Sequence, residues 1–461
     1  MQPLRWARLA FLASLALACR IEPMPAPASA PYPTPAAPAP TGAVRCGPMT
    51  SGFYTPPELP PLSAETLGMI LRCENVDAET AAQLSRTPIW RQSAPPETPA
   101  RFGLKHYRIL YLSQGPLGKA TAVSATVYLP TDAGGRCAAA TAAPIAAVQH
   151  GTVGVADACA PSRETAFMDY MALPLVGRGF AVVATDYQGL GTPGGHPYLV
   201  GESEAYSVLD GLRALARLSD DAVDPGCLGR DVLLLGHSQG GQATLFAQQY
   251  AASYGMGAGM RLRGAVAWAP GFGARILKKG ISFPPGTPNS TVTVLSTMYL
   301  YGVAHYRGAP ADSDWLTPEA QRQLPGLLEN ECVLQLLQDV PARFPTLGSL
   351  FTRSFLSDPA AGPWVGYVDA DLAGSFHSDA PTLVVQGTTD DLVPAWTTRC
   401  IVDRMVAHGT RVDLCVKRDG HMTIVGAAWQ DILPWVTAAA RGRAPVAPAS
   451  CAGTLPACLA P

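Results

Sequence analysis

The chain has 461 residues, 48% of them hydrophobic and 15% charged, which suffices for a large core and is long enough for an enzyme domain with insertions. Its 33 basic and 35 acidic residues leave a formal charge of -2, so nothing electrostatic points to a nucleic acid or another polyanion as partner. No CxxC pair or His-rich spacing suggests a metal.

Arg5 and Arg8 precede an apolar stretch from Leu9 to Ala18, followed by Cys19. That stretch is too short to span a bilayer, so residues 1–19 read as a signal peptide. Two processing routes are open. Ala16-Leu17-Ala18 obeys the small-x-small cleavage rule and would release a secreted protein. The same residues with Cys19 approximate a bacterial lipobox, although Ala16 stands where Leu is usual; a lipid on Cys19 would tether the chain to a membrane. With Cys19 set aside, ten of the 11 cysteines remain, an even set that in an exported chain predicts up to five disulfides. Cys451 and Cys458 stand close enough in sequence to close a small loop.

Residues 20–45 are a Pro/Ala-rich spacer, with eight prolines between Glu22 and Thr41. Such a segment favours polyproline II and would extend on the order of 60 Å at about 3.1 Å per residue. Residues 46–101 read as an N-terminal wrap with one helical stretch, SAETLGMILRC. KHYRILYLS and TAVSATVYLP then alternate like antiparallel strands. APIAAVQHG, FAVVATDY, DVLLLGH, GAVAWAP and PTLVVQG are continuous apolar runs, as expected of parallel strands buried on both faces. Helical stretches fall at 164–178, 202–218 and 239–254. Strands alternating with helices predict an α/β class with a mostly parallel, doubly wound sheet, whose ligands sit beyond the carboxyl ends of the strands. The core covers 102–271 and 377–442. Between them, 272–376 breaks the alternation with amphipathic stretches such as LLENECVLQLLQ and SLFTRSFL, and reads as a helical cap inserted before the acid-bearing strand. A tail with two cysteines occupies 443–461.

DVLLLGHSQGGQ (231–242) ends an aliphatic run abruptly in Gly236-His237-Ser238-Gln239-Gly240. It reads as a strand delivering Ser238 onto a sharp strand-to-helix turn, in which glycine at 236 and 240 lets the backbone pass close to its neighbours. A serine hydroxyl needs a base to take its proton, and the base needs an orienting carboxylate. After PTLVVQG comes Thr389-Asp390-Asp391-Leu392-Val393-Pro394, and after RVDLCVKR comes Asp419-Gly420-His421. Asp-x-x-Val-Pro selects Asp390 as the acid, with Asp391 as the alternative or as the cap of the next helix. His421 is the base, and His237 is a wall residue. The Gln239 amide, at the start of a helix, supplies one oxyanion donor. The second comes from either His150-Gly151-Thr152 or Thr185-Asp186-Tyr187, which these arguments do not separate.

TDYQGLGTPGGHPYLVGESEAYSVLD (185–210), with QHGT, CAPS, GHSQGG, QGTTDDLVP and GHMT, resembles the secretory lipase family of α/β-hydrolases, the group that includes the yeast lipase A type enzymes. The likeness runs from about Phe102 to Ala440. It implies an α/β-hydrolase fold and an extracellular carboxylic-ester hydrolase acting on acylglycerols or related esters, without a cofactor. It also implies that the second oxyanion donor is the Asp186 amide, the Asp186 carboxylate fixing its own loop. The spacer, the lipobox-like Cys19 and the cysteine-containing tail depart from a strictly soluble family type. Other functions on the same three residues would be those of a peptidase or an acyltransferase, but no charged cluster suited to an amine-side site is visible. A non-catalytic lipoprotein binding module is opposed by the presence of serine, acid and histidine together.

Overall fold

The structure, a computed structural model, describes residues 45–95, 98–137, 142–164, 166–222, 227–271, 281–308, 310–359, 363–451 and 453–459. The expected signal peptide, Cys19 and the spacer up to residue 44 lie outside the described residues, as do residues 272–280 of the expected cap.

Nine strands form one sheet: β1 (Ile70–Glu79), β2 (Gly103–Gln114), β3 (Ala120–Thr131), β4 (Ala143–Gln149), β5 (Ala181–Thr185), β6 (Leu228–His237), β7 (Arg261–Trp268), β8 (Thr382–Gly387) and β9 (Val412–Lys417), in spatial order β1-β2-β3-β5-β4-β6-β7-β8-β9. The first three strands and β5 pair antiparallel, and everything from β5 to β9 is parallel. Alternation along the central strands divides the core. Ile145, Ala147, Val183, Val232 and Leu234 pack into one layer; Ala146, Val148, Val182, Leu233 and Leu235 pack into the other. A period of two with both faces covered makes these strands read as unbroken apolar runs.

Helices Gly201–Ala222 and Gln239–Tyr250 close the first layer with Leu209, Leu212, Leu215 and Ala243. Asp169–Val176 and Ile424–Ala440 close the second with Met171, Leu175, Trp429 and Ile432. The predicted helix at 164–178 is shorter than expected: it runs from Asp169 to Val176, after a 3-10 turn at Pro161–Arg163. β4 has β5 on one side and β6 on the other. Chain excursions in opposite directions from it open a crevice beyond its carboxyl end.

SAETLGMILRC is not a helix. Residues 64–68 form turns, Gly68 stands at φ 71°, and the chain continues as β1 along the edge of β2. Ladder pairing and the Cys46–Cys73 disulfide override local helical propensity there.

From β7 to β8 the described chain is helical: Thr291–Arg307, Pro318–Asn330, Val333–Arg343 and Trp364–Ala370, with the short helices Leu347–Leu350 and Arg353–Ser357. These helices have their own apolar cluster, centred on Met298, Trp315, Leu328, Leu336 and Phe351. LLENECVLQLLQ breaks into two helices at Glu331-Cys332. The Cys332 backbone is extended there because it bridges Gly154 and its sulfur is joined to Cys159.

The ten cysteines of the described residues form five disulfides: Cys46–Cys73, Cys137–Cys227, Cys159–Cys332, Cys400–Cys458 and Cys415–Cys451. Cys451 and Cys458 therefore do not close a loop on each other. Each reaches back to the last αβ unit and ties the tail onto it.

Candidate active site

Ser238 has φ 59° and ψ -118°, a region that costs a non-glycine residue about 1–3 kcal/mol unless its surroundings enforce it. They do so from both sides. The Ser238 amide donates to the Trp268 carbonyl (2.9 Å), and its carbonyl accepts from Gln242 (3.1 Å) and Gly271 (2.8 Å). A Cβ on Gly236 would land on the Gly240 carbonyl, and one on Gly240 on the Gln149 carbonyl. Glycine at both positions lets strand, turn and helix cross this closely, and the crossing lifts the serine hydroxyl clear of the sheet.

The structure brings Ser238, His421 and Asp390 together. His421 Nε2 lies 2.9 Å from Ser238 Oγ, and its Nδ1 lies 2.7 Å from Asp390 Oδ2. The other Asp390 oxygen accepts the amides of Leu392 (3.0 Å) and Val393 (2.7 Å). Burial raises the Asp390 carboxyl, but the His421 ring and these amides outweigh it and hold the group below its ordinary value. With the carboxylate at Nδ1, the imidazole Nε2 is left to accept the serine proton. Asp391 is exposed, and the helix that follows, Ala395–Ala407, begins at Pro394 without a side-chain cap. His237 lines the same cavity and its Nε2 donates to the His421 carbonyl (3.0 Å). Burial, with the neighbouring His421, lowers His237 to about 3; it is a neutral strut for the His421 loop.

Asp186 does not take the place that the family likeness assigned to it. Its amide donates to the Ser124 carbonyl (2.9 Å), extending the β3–β5 ladder, and a committed amide cannot also serve an oxyanion. Its carboxylate accepts the Ser124 hydroxyl (2.6 Å) and both the amide (2.9 Å) and the hydroxyl of Ser162. Burial pushes it up to about 6 despite these bonds. Asp186 and Tyr187 instead brace the loop after β4: the Tyr187 hydroxyl donates to the His150 carbonyl (3.1 Å), and His150 Nε2 faces the Asp186 carbonyl (3.3 Å). That braced loop passes against the serine, and Gly151 and Thr152 line the cavity beside Ser238 and Gln239. Among the described residues, the Thr152 amide has no acceptor. The Gln239 amide, in the first turn of its helix, has no intrahelical partner.

The cavity holds about 570 Å³. Phe167, Tyr170, Leu199, Leu295, Leu337, Val425 and Trp429 make its walls apolar, and Ser238, His237 and His421 stand among them. Three of its lining residues, Phe167 (38% exposed), Leu334 (72%) and Met422 (77%), also present large apolar side chains to solvent. Ile89 and Gln92 reach the cavity from the N-terminal segment. Sequence reasoning missed them, although Thr87-Pro88 is a helix-start signal that marks the short helix carrying them. Among the described residues, no group of three or more His, Cys, Asp or Glu side chains is arranged to hold a metal ion, and no helix is long and apolar enough to cross a membrane.

Residues 159–271, from the 3-10 turn after β4 to just past β7, match the family model of the secretory lipases. Comparison with curated protein sequences gives no match. Among solved structures, the chain is similar to the rice cell wall degrading esterase LipA from Xanthomonas oryzae in a ligand-bound form (TM-score 0.66, 18% identity, 79% of this chain and 97% of that one). It is similar to Candida antarctica lipase A in its closed state (0.62, 19%, 88% of each chain) and to a hydrolase described as putative from Legionella pneumophila (0.64, 20%, 79% and 96%). At these identities the likeness establishes the α/β-hydrolase fold, as the sheet order does.

Proposed function

We infer that this chain, a member of the secretory lipase family and a carboxylic ester hydrolase, works outside the cell on lipid esters through an acyl-enzyme on Ser238. The observation that carries the reading is the line from Asp390 Oδ2 through His421 to Ser238 Oγ, with both links at hydrogen-bond length, opening into an apolar cavity.

His421 Nε2 takes the Ser238 proton as Oγ attacks the ester carbonyl. Negative charge gathers on the former carbonyl oxygen, where the amides of Gln239 and Thr152 receive it; a donor of this kind is worth about 10²–10³ in turnover. His421 then passes the proton to the leaving alkoxide, the C–O bond to the alcohol breaks, and the acyl group stays on Ser238. Water, deprotonated by the same ring, attacks the acyl-enzyme and releases the acid. Asp390, held ionised, steadies the imidazolium in both halves.

The fold is shared with an esterase and with a lipase and so does not choose the substrate. The aliphatic and aromatic walls, and the exposed Phe167, Leu334 and Met422 on the cavity lining, favour a long acyl chain over a small polar ester. The five disulfides and the leader of residues 1–19 support export. Lipidation at Cys19 would add a membrane tether, which mass spectrometry of the cell-envelope fraction tests.

The function is tested by hydrolysis of p-nitrophenyl esters from acetate to palmitate beside Ser238→Ala. Activity rising with chain length and lost in the variant is expected. Activity confined to acetate and butyrate would replace the lipid substrate by a small ester, and full activity in folded Ser238→Ala would overturn the mechanism.

A further inference from the structure

The Gln239 side chain points away from the cavity into a buried polar pocket. Its Nε2 donates to Glu204 Oε1 (2.9 Å) and to His196 Nε2 (2.9 Å). His196 can accept there because its Nδ1 donates to the Gln188 carbonyl (2.9 Å), and burial, which lowers this ring to about 3, keeps it neutral. Glu204 sits in the first turn of helix Gly201–Ala222 with no exposed surface, and the same Oε1 accepts the amide of Leu199, a residue of the cavity wall. Two oxygens in this pocket, Glu204 Oε2 and Gln239 Oε1, have no partner among the described residues. They belong to the two planar groups that already share a hydrogen bond.

An ionised Glu204 would leave both oxygens as acceptors with nothing to accept, buried together with an unpaired charge. A proton on Oε2 changes this. It turns that atom into a donor and lets the carboxylic acid and the amide pair at two points, one bond in each direction. The groups around Glu204 are His196, Tyr187 and Tyr198 from the loop after β5, Gln239 from the nucleophile turn, and Asp371 from the chain after helix Trp364–Ala370. None is a cation that would hold the carboxylate. Burial is the largest influence on Glu204 and raises it, with Asp371 adding in the same direction.

We propose that Glu204 is a positioning residue for the nucleophile turn: as a neutral carboxylic acid it clasps the Gln239 side chain at two points, with His196 as the third, and thereby sets the direction of the Gln239 backbone amide. Gln239 has one flexible chain of single bonds between its amide nitrogen and the clasped group, and its Cα follows Ser238 directly. Fixing the far end against helix Gly201–Ala222 limits how the turn can rotate about the strained serine. The same carboxyl holds Leu199, so cavity wall and oxyanion donor share one anchor.

This inference rests on the reading of Ser238 and the Gln239 amide given above. The test uses the purified protein and five variants, Ser238→Ala, Glu204→Gln, Glu204→Leu, Gln239→Ala and the Glu204→Leu/Gln239→Ala double variant, with kcat and KM on one p-nitrophenyl ester between pH 6 and 10. Glu204→Gln keeps one acceptor and presents N–H donors in place of the O–H, so its kcat is expected within about twofold of wild type across this range. Glu204→Leu and Gln239→Ala are expected to lose roughly tenfold to a hundredfold in kcat, a fraction of the full value of an oxyanion donor, with KM within about twofold. The Glu204→Leu/Gln239→Ala double variant is expected to lose no more than the worse single one, because both remove one clasp. Wild-type kcat in Glu204→Leu, additive losses in the double variant, or a loss in Glu204→Gln as large as in Glu204→Leu would each overturn the proposal. Should Glu204→Leu fail to fold, wild-type kcat in folded Gln239→Ala, or a loss of about tenfold or more in folded Glu204→Gln, would overturn it instead. Activity retained by Ser238→Ala would instead strike the underlying mechanism.

Discussion

His421 Nε2 lies 2.9 Å from Ser238 Oγ although 183 residues separate them in the chain. β6 and β9 carry them: the serine follows the end of one, the histidine the end of the other, and the ordering of the sheet turns a distance in sequence into a hydrogen bond. Ser238→Ala removes the nucleophile without touching the backbone. We expect at least a 10⁴-fold fall in kcat, on the order seen when a triad serine is removed, with an unchanged circular dichroism spectrum and melting temperature.

The His237 ring supports the His421 loop through Nε2 and its neutrality is enforced by burial at about 3. It therefore has no proton to exchange in the working range of the enzyme. His237→Gln, which can offer a donor toward the same carbonyl, should preserve the shape of the kcat/KM profile between about pH 5 and 9. His237→Phe should lower kcat by roughly fivefold, as loss of one positioning hydrogen bond of about 1 kcal/mol implies. A profile that shifts in His237→Gln would mean that this ring titrates during turnover.

Asp371 joins the helical segment between β7 and β8 to helix Gly201–Ala222, accepting the Gly201 amide (2.9 Å) on one oxygen and the Tyr299 hydroxyl (2.9 Å) on the other. Burial pushes its carboxyl up to about 7, against the lowering effects of those two bonds and of Arg307. An acid whose folded value lies above its unfolded value binds its proton more tightly when folded. The stability it contributes is complete below the unfolded value near 4 and declines as pH rises toward 7. Asp371→Asn carries no proton to lose. Its stability relative to wild type should increase by roughly 2–4 kcal/mol between about pH 4 and 7.5, read from urea midpoints of the two proteins at each pH. A difference that is flat with pH would remove Asp371 from this role.

The Cys159–Cys332 disulfide spans 173 residues and pins the start of helix Val333–Arg343 to the loop that follows β4. Val333, Leu334 and Leu337 of that helix line the cavity. Replacing both cysteines by serine should cost about 2–5 kcal/mol of stability and should raise KM for long-chain esters more than for acetate, because the wall of the acyl site loosens. Thermal melts and the ester series on the double variant measure the two effects separately.

Leu334 and Met422 flank the cavity with 72% and 77% of their surfaces exposed. Leu334→Ser with Met422→Ser should leave p-nitrophenyl acetate hydrolysis within about twofold while lowering kcat/KM for palmitate by roughly tenfold, about the worth of the apolar area removed from contact with the acyl chain. An equal loss on both esters would place these residues in support of the triad instead.

Local sequence alone was enough for whatever depends on near neighbours in the chain. Aliphatic runs with both faces destined for burial identified the parallel strands, since nothing else accommodates a period of two without a polar face. Gly236 and Gly240 around Ser238 announced the sharp turn, since a Cβ at either would strike backbone. The order of Ser238, Asp390 and His421, each placed just after a strand, singled out the three residues that the structure brings into contact. Tertiary structure decided what depends on which strand lies beside which. The stretch SAETLGMILRC, which runs into the first residues of β1, reads locally as a helix, and that edge strand exists because β2 is there to pair with it. The loops after β4 and β5 both follow strands and both looked able to donate an amide; pairing of β5 with β3 commits the Asp186 amide to Ser124, while Thr152 lines the cavity. The partners of Cys451 and Cys458 are set by how the tail lies on the last strand and helix, and the isolation of Glu204 behind Gln239 by the packing of two helices on one sheet face. Spacing along a chain carries no record of these neighbours, because they are created only when the sheet closes its order.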